Sequence, residues 1–237
     1  NFVGKLNDMY LICMKGYYNM DLTSPRTIRN IQEQFGFTFK KGLGQNFLTA
    51  RNILEEIVDA AEIESGVIEV GPGFGVLTSE LAQNSDKVVT IEIDERLIDV
   101  LDYTLAEYDN VKIINEDILK LDLKKVIDDE FKGEKVSIAA NLPYYITTPI
   151  ITKLLEEKLP IKNIVVMVQK EVAERMSAKP STKDYGAITV LCQYYTEPSI
   201  VANVPASLFV PPPKVDSAVL KLKVLDKPSV EVKDEGV

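Results

Sequence analysis

Short runs of β-branched residues alternate with amphipathic stretches from residue 67 onward, and this pattern constrains the fold of the 237-residue chain more than any other feature. The alternation is typical of βαβ units, in which parallel strands are connected by helices that cover a sheet. It predicts strands at 67–70, 88–93, 111–114, 136–140 and 164–168. The segments predicted to be helical are 53–61, 77–83, 95–105, 149–155, 170–176 and 186–195.

Two further strand-like segments, 199–204 and 218–224, lie near the end of the chain with only a proline-rich stretch between them. That spacing is typical of a hairpin, so the sheet should finish with an antiparallel pair. We therefore predict an α/β fold with a mostly parallel, seven-stranded sheet and a terminal antiparallel strand.

The composition excludes several kinds of chemistry. The chain has no histidine, which rules out imidazole bases and metal sites built on imidazole ligands. Its two cysteines, Cys13 and Cys192, are too few for a thiolate zinc site and indicate a reducing compartment. No apolar run approaches the roughly 18 residues that a membrane span requires. We expect a cytoplasmic protein with no metal and no membrane partner.

The net charge of −9 is distributed unevenly along the chain. Residues 53–135 carry 8 Lys/Arg and 22 Asp/Glu, whereas residues 1–52 carry 7 and 3, and residues 136–237 carry 12 and 11. The overall charge argues weakly against a protein that coats nucleic acid by charge alone. The acidic middle region suits a cationic ligand better than an anionic one, for Coulombic reasons.

A glycine-rich turn follows the first predicted strand, at Gly71, Gly73 and Gly75. Glycines at such a point let the backbone approach a ligand closely and present amides at a helix N-terminus. A dinucleotide fingerprint would need its third glycine at Val76, and Pro72 removes an amide that a pyrophosphate would use. A tight turn without a ligand is the alternative for this segment taken alone.

Acidic residues follow the next two predicted strands. Glu92 lies 21 residues after Gly71, the distance at which such sheets place a carboxylate on ribose hydroxyls. Asp117 follows the third strand and could accept a hydrogen bond from an adenine amino group. Either acid alone is more simply a solvated loop residue. Together with the glycine turn they favour an adenosine-containing cofactor, because open α/β sheets bind ligands at strand carboxyl ends. The acidic surroundings favour S-adenosylmethionine (SAM).

The tetrapeptide Asn141-Leu142-Pro143-Tyr144 follows the fourth predicted strand. An adenine amino group is a poor nucleophile, and two acceptors for its hydrogens would favour its pyramidal, nucleophilic form. The Asn141 side-chain oxygen and the Leu142 carbonyl can be those acceptors, while Tyr144 would stack on a flipped base. Phe209 could cover the opposite face of that base. Taken alone, the tetrapeptide is more simply a strand-ending turn, and Phe209 could equally be a core residue.

Taken together, these residues resemble the ribosomal small-subunit adenine dimethyltransferases (KsgA type) over roughly residues 35–225. The matching strings are Gly44-Gln45-Asn46-Phe47-Leu48, Glu69 to Gly75, Glu92, Asp117, Asn141 to Tyr144, Gln169-Lys170-Glu171-Val172, and Phe209 through Pro213-Lys214-Val215-Asp216-Ser217. The related erythromycin-resistance methylases of large-subunit RNA share the first four motifs but usually have isoleucine where Leu142 lies. The small-subunit branch is therefore favoured.

The resemblance implies a Rossmann-like, SAM-dependent methyltransferase fold with helices on both faces of the sheet. It implies that Glu92 binds the ribose, that Asp117 holds the adenine and that Asn141 bridges cofactor and target base. The candidate cofactor-binding residues are Gln45, Asn46, Leu48, Glu69, Gly71, Gly73, Glu92, Asp117 and Asn141. The candidate catalytic residues are Asn141, Leu142, Tyr144 and Phe209.

The implied reaction gives N6,N6-dimethyladenosine at two adjacent adenines in the hairpin near the 3′ end of 16S rRNA. The implied partner is that RNA within an immature small subunit, and we expect the enzyme to be a monomer that acts in ribosome biogenesis. Basic residues flank the predicted pocket in sequence, although any one of them could be a plain surface charge. The candidate RNA-binding residues are Lys40, Lys41, Arg51, Lys170, Arg175 and Lys179.

We divide the chain into a leader and N-terminal extension (1–34), a catalytic domain (35–225) and a tail (226–237). The leader is 1–19, because Met20 looks like a possible natural start. Members of the resembled family continue past the last strand into a small helical domain that helps to grip RNA. We expect that domain to be largely absent here.

Three alternative functions remain at this point. The first is a large-subunit (23S) rRNA adenine methylase of the erythromycin-resistance type. The second is a non-catalytic ribosome assembly factor that retains a SAM pocket, against which the intact segment 141–144 argues. The third, a nucleotide-dependent oxidoreductase, is disfavoured by Val76.

Overall fold

The computed structural model describes residues 20–38 and 46–231. The helices are α1 (Pro25–Gln34), α2 (Arg51–Ala61), α3 (Val76–Gln83), α4 (Ile98–Thr104), α5 (Leu123–Phe131), α6 (Thr147–Glu156), α7 (Lys170–Met176) and α8 (Ala187–Tyr195). The strands are β1 (Phe47–Leu48), β2 (Val67–Val70), β3 (Val88–Glu92), β4 (Val111–Asn115), β5 (Val136–Asn141), β6 (Ile161–Gln169), β7 (Thr196–Val204), β8 (Phe209–Val210) and β9 (Ser217–Val224).

Seven of these strands form one sheet in the order β4-β3-β2-β5-β6-β9-β7. The five neighbouring strands β4, β3, β2, β5 and β6 pair in parallel. Strand β9 pairs antiparallel with both β6 and β7. The predicted α/β fold with a mostly parallel sheet and one antiparallel strand is therefore confirmed.

The antiparallel strand β9 lies inside the sheet, one position from its edge. Its residues are mostly buried, whereas β7 is largely exposed along its length. Strand β7 also contains Pro198 and a register irregularity between Ile200 and Ala202. Proline and bulges are tolerated on edge strands, because no further strand needs their backbone groups. The more apolar strand therefore takes the interior position.

Helices cover both faces of the sheet. On one face, α1 to α4 bury residues such as Ile28, Leu54 and Leu101 in a shared apolar cluster. On the other face, α5 to α8 contribute residues such as Ile127 and Ile151 to a second cluster. Strand β2 is buried on both sides, as expected for a central parallel strand. Two packed faces fix the strand ends, from which the loops of the site project.

The N-terminal extension packs on the same body as the catalytic region. Helix α1 begins with a proline in its first turn and buries Ile28 and Ile31 against the first apolar cluster. Leu22 is buried there as well. The packed unit thus includes part of the segment 1–34 that we separated from the catalytic domain, and the predicted leader 1–19 lies outside the described residues.

Several boundaries differ from the prediction for local reasons. The predicted helix 95–105 is a short 3₁₀ turn, Glu95–Leu97, followed by α4. Helix α6 begins two residues before Pro149, which is accommodated in the first turn, where proline removes no helical hydrogen bond. The small sheet of β1 and β8 pairs Leu48 with Phe209 and was not predicted, because two-residue strands carry no periodicity. Within the described ranges, no helix has the length and apolar character needed to cross a membrane.

Candidate active site

A cleft opens at the carboxyl ends of β2, β3, β4 and β5 and encloses about 1050 Å³, including the part open to solvent. The structure brings most of the predicted cofactor residues to its wall. They are Asn46, Leu48, Glu69, Gly71, Gly73, Glu92, Asp117 and Asn141. Gln45 lies outside the described residues. The cleft occupies the edge of the sheet at which open α/β folds bind ligands.

The glycine turn shapes the floor of this cleft. Gly71, Gly73 and Gly75 all have positive φ angles, of 72°, 59° and 82°, which disfavour residues with a side chain. A Cβ added at Gly71 would meet nothing within 4 Å, so this position faces open space in the cleft. A Cβ at Gly73 would lie 2.7 Å from the ring of Phe47. The first glycine therefore keeps the cleft open, and the second allows an aromatic ring to pack against the turn.

Glu69 is a buried carboxylate at the cleft wall. It lies on β2 with only 1 % of its surface exposed, and the Thr78 hydroxyl of α3 donates to its Oε2 at 2.5 Å. Burial raises the pKa of Glu69 to about 8, although the Thr78 hydrogen bond favours the ionised form. Near neutral pH this carboxyl group is therefore close to the point at which it gains or loses a proton.

Glu92 is a second buried carboxylate, at the end of the neighbouring strand β3. Its exposed fraction is 5 %, and the backbone N–H of Asp94 donates to its Oε1 at 2.8 Å. Burial raises the pKa of Glu92 to about 7. Within residues 20–38 and 46–231, neither Glu69 nor Glu92 forms a salt bridge with Lys or Arg. Two buried acids without a cationic partner create a site that favours a positively charged ligand.

Asp117 lies on the far side of the cleft, after β4. The backbone N–H of Leu119 donates to its Oδ1 at 3.0 Å, and the Lys120 ammonium lies 3.8 Å from its Oδ2. The local hydrogen bond fixes the direction of the side chain, which remains partly accessible. An acceptor held in this way can take a hydrogen bond from a ligand amino group.

Asn141 connects two walls of the cleft. It is the last residue of β5, and its Nδ2 donates to the backbone carbonyl of Asn46 at 3.1 Å. With the amide nitrogen engaged in this way, the Oδ1 atom is the acceptor that Asn141 can offer to a ligand. The following residue, Leu142, is buried and donates its N–H to Met167 at 3.1 Å, which anchors the loop to β6.

The two predicted stacking residues lie outside the cleft lining. Tyr144 is half-buried, and its hydroxyl is 3.0 Å from Ser217 Oγ. Phe209 is 3 % exposed and pairs with Leu48 between β8 and β1. The Phe209 ring is enclosed in the apolar core in this arrangement. The structure thus favours the core role, which the sequence left equally open, and contact of Phe209 with a target base stays a prediction.

Two exposed apolar side chains at the cleft were missed from the sequence. Tyr145 is 58 % exposed and Ile93 is 53 % exposed, and both line the cleft. Tyr145 directly follows Tyr144, and Ile93 directly follows Glu92; the sequence had singled out Tyr144 and Glu92 but not their neighbours. For Tyr145 the available signal was a large aromatic residue in a loop past a strand end, whereas Ile93 was counted as the last residue of the predicted strand 88–93, which ends at Glu92 in the structure.

Three of the predicted RNA-binding residues lie on helix α7 or directly after it. Lys170 begins α7 at the end of β6, and Lys179 lies in the loop that follows α7. Arg175 donates to Glu171 at 2.8 Å, so its charge is partly neutralised on its own helix. Arg51 lies 3.9 Å from Asp21. Lys40 and Lys41 lie outside the described residues.

Comparison with known families identifies the chain. A model of the family described as ribosomal RNA adenine dimethylase matches residues 36–237. The chain belongs to this family. Curated relatives named "Ribosomal RNA small subunit methyltransferase A" from Bacillus mycoides and Bacillus cereus are 55 % identical over 218 residues, covering 91 % of this chain and 75 % of each relative. The family resemblance and the enzyme class inferred from the motifs are therefore confirmed.

Two solved structures that are more than 30 % identical to the chain have the same fold. A dimethyladenosine transferase from Plasmodium falciparum is 35 % identical with a TM-score of 0.67, covering 76 % of this chain and 64 % of that one. The 23S rRNA methyltransferase ErmE is 31 % identical with a TM-score of 0.65, covering 78 % of this chain and 72 % of that one. The chain thus spans less than two thirds of the Plasmodium protein. The curated relatives favour the small-subunit branch over the large-subunit alternative.

Proposed function

We propose that this rRNA adenine dimethylase uses SAM to methylate N6 of two adjacent adenines in the 3′-terminal hairpin of 16S rRNA, within an immature small subunit. The observation that carries the proposal is the Asn141 amide, held at the cleft wall by Asn46 with its oxygen as acceptor. The 55 % identity to relatives named for the small subunit supports the choice of RNA. A cytoplasmic site of action follows from that substrate.

The charge of the cleft and the room that its glycine turn leaves both suit SAM. Gly71 leaves room for the ligand, and Glu69 and Glu92 are buried acids that a cationic ligand would compensate. When bound, SAM supplies a methyl group activated by the positive charge of its sulfonium. Glu92 would hold the ribose hydroxyls and Asp117 the adenine amino group. Asn46, Leu48, Gly71 and Gly73 would surround the methionine portion, and Gln45 would complete the set.

The residues at the end of β5 would hold the target base. Asn141 Oδ1 and the Leu142 carbonyl accept the two hydrogens of the adenine N6, which favours the nucleophilic form of that nitrogen. The Tyr144 ring stacks on the base, a contact worth about 1–3 kcal/mol for bases in general. Alignment of two reactants can contribute roughly 7–11 kcal/mol to a rate. This chemistry needs acceptors and positioning, and it therefore works without the titrating imidazole that the chain lacks.

Transfer of labelled methyl groups from SAM tests the proposal. Undermethylated small subunits, large subunits and naked rRNA are incubated with the protein, and the modified base is mapped. We expect dimethylation of two adjacent adenines in the 3′-terminal hairpin of small-subunit RNA. Methylation confined to large-subunit RNA would contradict the choice of substrate, and absence of transfer to any RNA would contradict the enzymatic role and favour an assembly factor.

A binding measurement examines the cofactor separately. SAM and S-adenosylhomocysteine should raise the melting temperature of the protein, because a ligand that binds only the folded state stabilises it. NAD should have no such effect. Stabilisation by NAD and not by SAM would contradict the assignment of the cleft.

A further inference from the structure

Tyr144 and Ser217 form a hydrogen bond that connects two distant loops. The Tyr144 hydroxyl lies 3.0 Å from Ser217 Oγ, across 73 residues of sequence. Tyr144 belongs to the loop between β5 and α6, whereas Ser217 is the first residue of β9. Strand β6 lies between β5 and β9 in the sheet, so this bond reaches over a whole strand.

Ser217 is held firmly in place. It is 1 % exposed and pairs with Gln169 of β6 on one side and Val204 of β7 on the other. The preceding residue, Asp216, accepts hydrogen bonds through its backbone carbonyl from the Lys170 N–H at 3.0 Å and through its Oδ1 from the Ala206 N–H at 2.9 Å. The Ser217 hydroxyl is therefore a fixed point on the sheet.

Tyr144 is less enclosed than Ser217. Its side chain is half-buried, and a tyrosine ring with a free end can turn about both of its side-chain torsions. A hydrogen bond at the far end of the ring fixes the position of the hydroxyl and thereby the inner torsion. The hydroxyl lies on the axis of the outer torsion, so the ring plane is set by the preference of the conjugated O–H for that plane when it donates. Burial raises the pKa of Tyr144 above its usual value, so the phenol keeps its proton at neutral pH and can donate. The bond thus ties the ring direction to β9.

We infer that Ser217 is a positioning residue for methyl transfer, which orients the Tyr144 ring for the target adenine through the bond between their hydroxyl groups. The inference rests on the proposed function, in which Tyr144 stacks on the base. It explains why a serine begins β9, directly before the apolar run 218–220. A buried polar pair with a structural role alone would affect stability and leave the chemical step unchanged.

The variants Ser217→Ala, Tyr144→Phe and the double variant test this inference. Each removes the same hydrogen bond and keeps the Tyr144 ring. With small subunits as substrate, we expect each single variant to lower kcat by about 3- to 10-fold, because a ring released from a hydrogen bond of ordinary strength holds the base in the aligned orientation for a smaller fraction of the time. The dissociation constant for SAM should be unchanged. The double variant should be no worse than either single variant, because the two changes remove one shared interaction.

Ser199→Ala is the matched control, since it removes an exposed hydroxyl from the edge strand β7 of the same sheet. It should retain the kcat of the unsubstituted protein. Thermal unfolding checks that each variant folds. If Ser217→Ala does not fold, Tyr144→Phe decides the question. It removes the same hydrogen bond by deleting the hydroxyl of Tyr144, which is only half-buried.

Unchanged kcat in Tyr144→Phe, or losses that multiply in the double variant, would overturn the inference while leaving the proposed function intact. If the unsubstituted protein transfers no methyl group to RNA, the proposed function and this inference both fail. The inference is supported if kcat falls in both single variants, if the double variant loses no more than either of them, and if SAM affinity stays constant.

Discussion

The side-chain amide of Asn141 donates to the backbone carbonyl of Asn46 at 3.1 Å, across 95 residues of sequence. Asn46 directly precedes β1, and Asn141 ends β5, so the bond joins the N-terminal wall of the cleft to the loop that would hold the target base. One amide therefore serves two purposes. Its nitrogen fastens the wall, and this engagement sets its oxygen as a hydrogen-bond acceptor.

Replacement of Asn141 by alanine should abolish methyl transfer and largely preserve SAM binding. The substitution removes an acceptor that acts on the adenine amino group as the reaction proceeds. Loss of one preorganised polar partner of this kind typically lowers kcat by about 10²- to 10³-fold. Single-turnover transfer of labelled methyl groups measures the rate, and calorimetry measures SAM affinity. Asn203→Ala, in the exposed edge strand β7, is the control. Near-normal turnover of Asn141→Ala would contradict the role of this residue.

The strands and the cleft edge were predictable because they depend on local patterns. The run 67–70 is β-branched apart from Glu69 and has the same bounds as β2, and the order of strands and glycines places Gly71 and Glu92 at one sheet edge. The burial of Phe209 could not be predicted from local patterns. Its enclosure depends on pairing between Leu48 and Phe209, which are 161 positions apart, and two-residue strands leave no periodic signal.

The side-chain contacts of the site could not be predicted from the sequence either. The Asn141 bond to Asn46 and the Tyr144 bond to Ser217 both join loops from different parts of the chain. Their geometry follows from packing of the whole sheet, which no local propensity encodes. Residue types at strand ends indicated which groups could act, and the fold determines which of them meet.

Gly71 and Gly73 should respond differently to alanine. Both have positive φ angles, which cost an alanine about 1 kcal/mol or more. At Gly71 the new methyl group enters open space in the cleft, so stability should fall only by that strain while SAM affinity falls at least about 10-fold. At Gly73 the methyl would lie 2.7 Å from the Phe47 ring. This clash should lower the stability by roughly a further 1–3 kcal/mol, as overpacking of a core does.

Chemical denaturation and SAM titration measure both glycine variants side by side. Gly36→Ala provides a control, because Gly36 has a φ of 59° and open space around its Cβ position but does not line the cleft. It should show the backbone strain without loss of SAM affinity. Equal losses of affinity at positions 36 and 71 would refute the view that Gly71 faces the ligand.

Stability should fall as pH rises through neutrality. Burial raises the pKa of Glu69 to about 8 and that of Glu92 to about 7, from an ordinary value of 4.5. Between about pH 4.5 and 8 the folded protein therefore binds more protons than the unfolded chain, so stability is greatest below this window and is lost as pH rises through it. The loss should be on the order of 2 kcal/mol per carboxyl between pH 6 and 8.

Glu69→Gln isolates the effect of one carboxyl group, since glutamine has a similar shape and does not titrate. Denaturation of this variant between pH 6 and 8 should show a flatter dependence on pH than the unsubstituted protein. Glu64→Gln, an exposed acid paired with Lys162, should leave the slope unchanged. A slope that stays the same in Glu69→Gln would show that Glu69 does not titrate in this range.

RNA affinity should depend on Lys179 more than on Arg175. Lys179 is exposed in the loop after α7, whereas Arg175 is already paired with Glu171 at 2.8 Å. If Lys179 contacts a phosphate, its replacement by alanine reduces the slope of log affinity against log salt by about 1, because one fewer counterion is released. Arg175→Ala should change the slope less. Lys135→Ala is the control, since Lys135 precedes β5 at the sheet edge opposite the cleft. Filter binding with small-subunit rRNA at several salt concentrations measures all three, and equal slopes for Lys179→Ala and Lys135→Ala would exclude the contact.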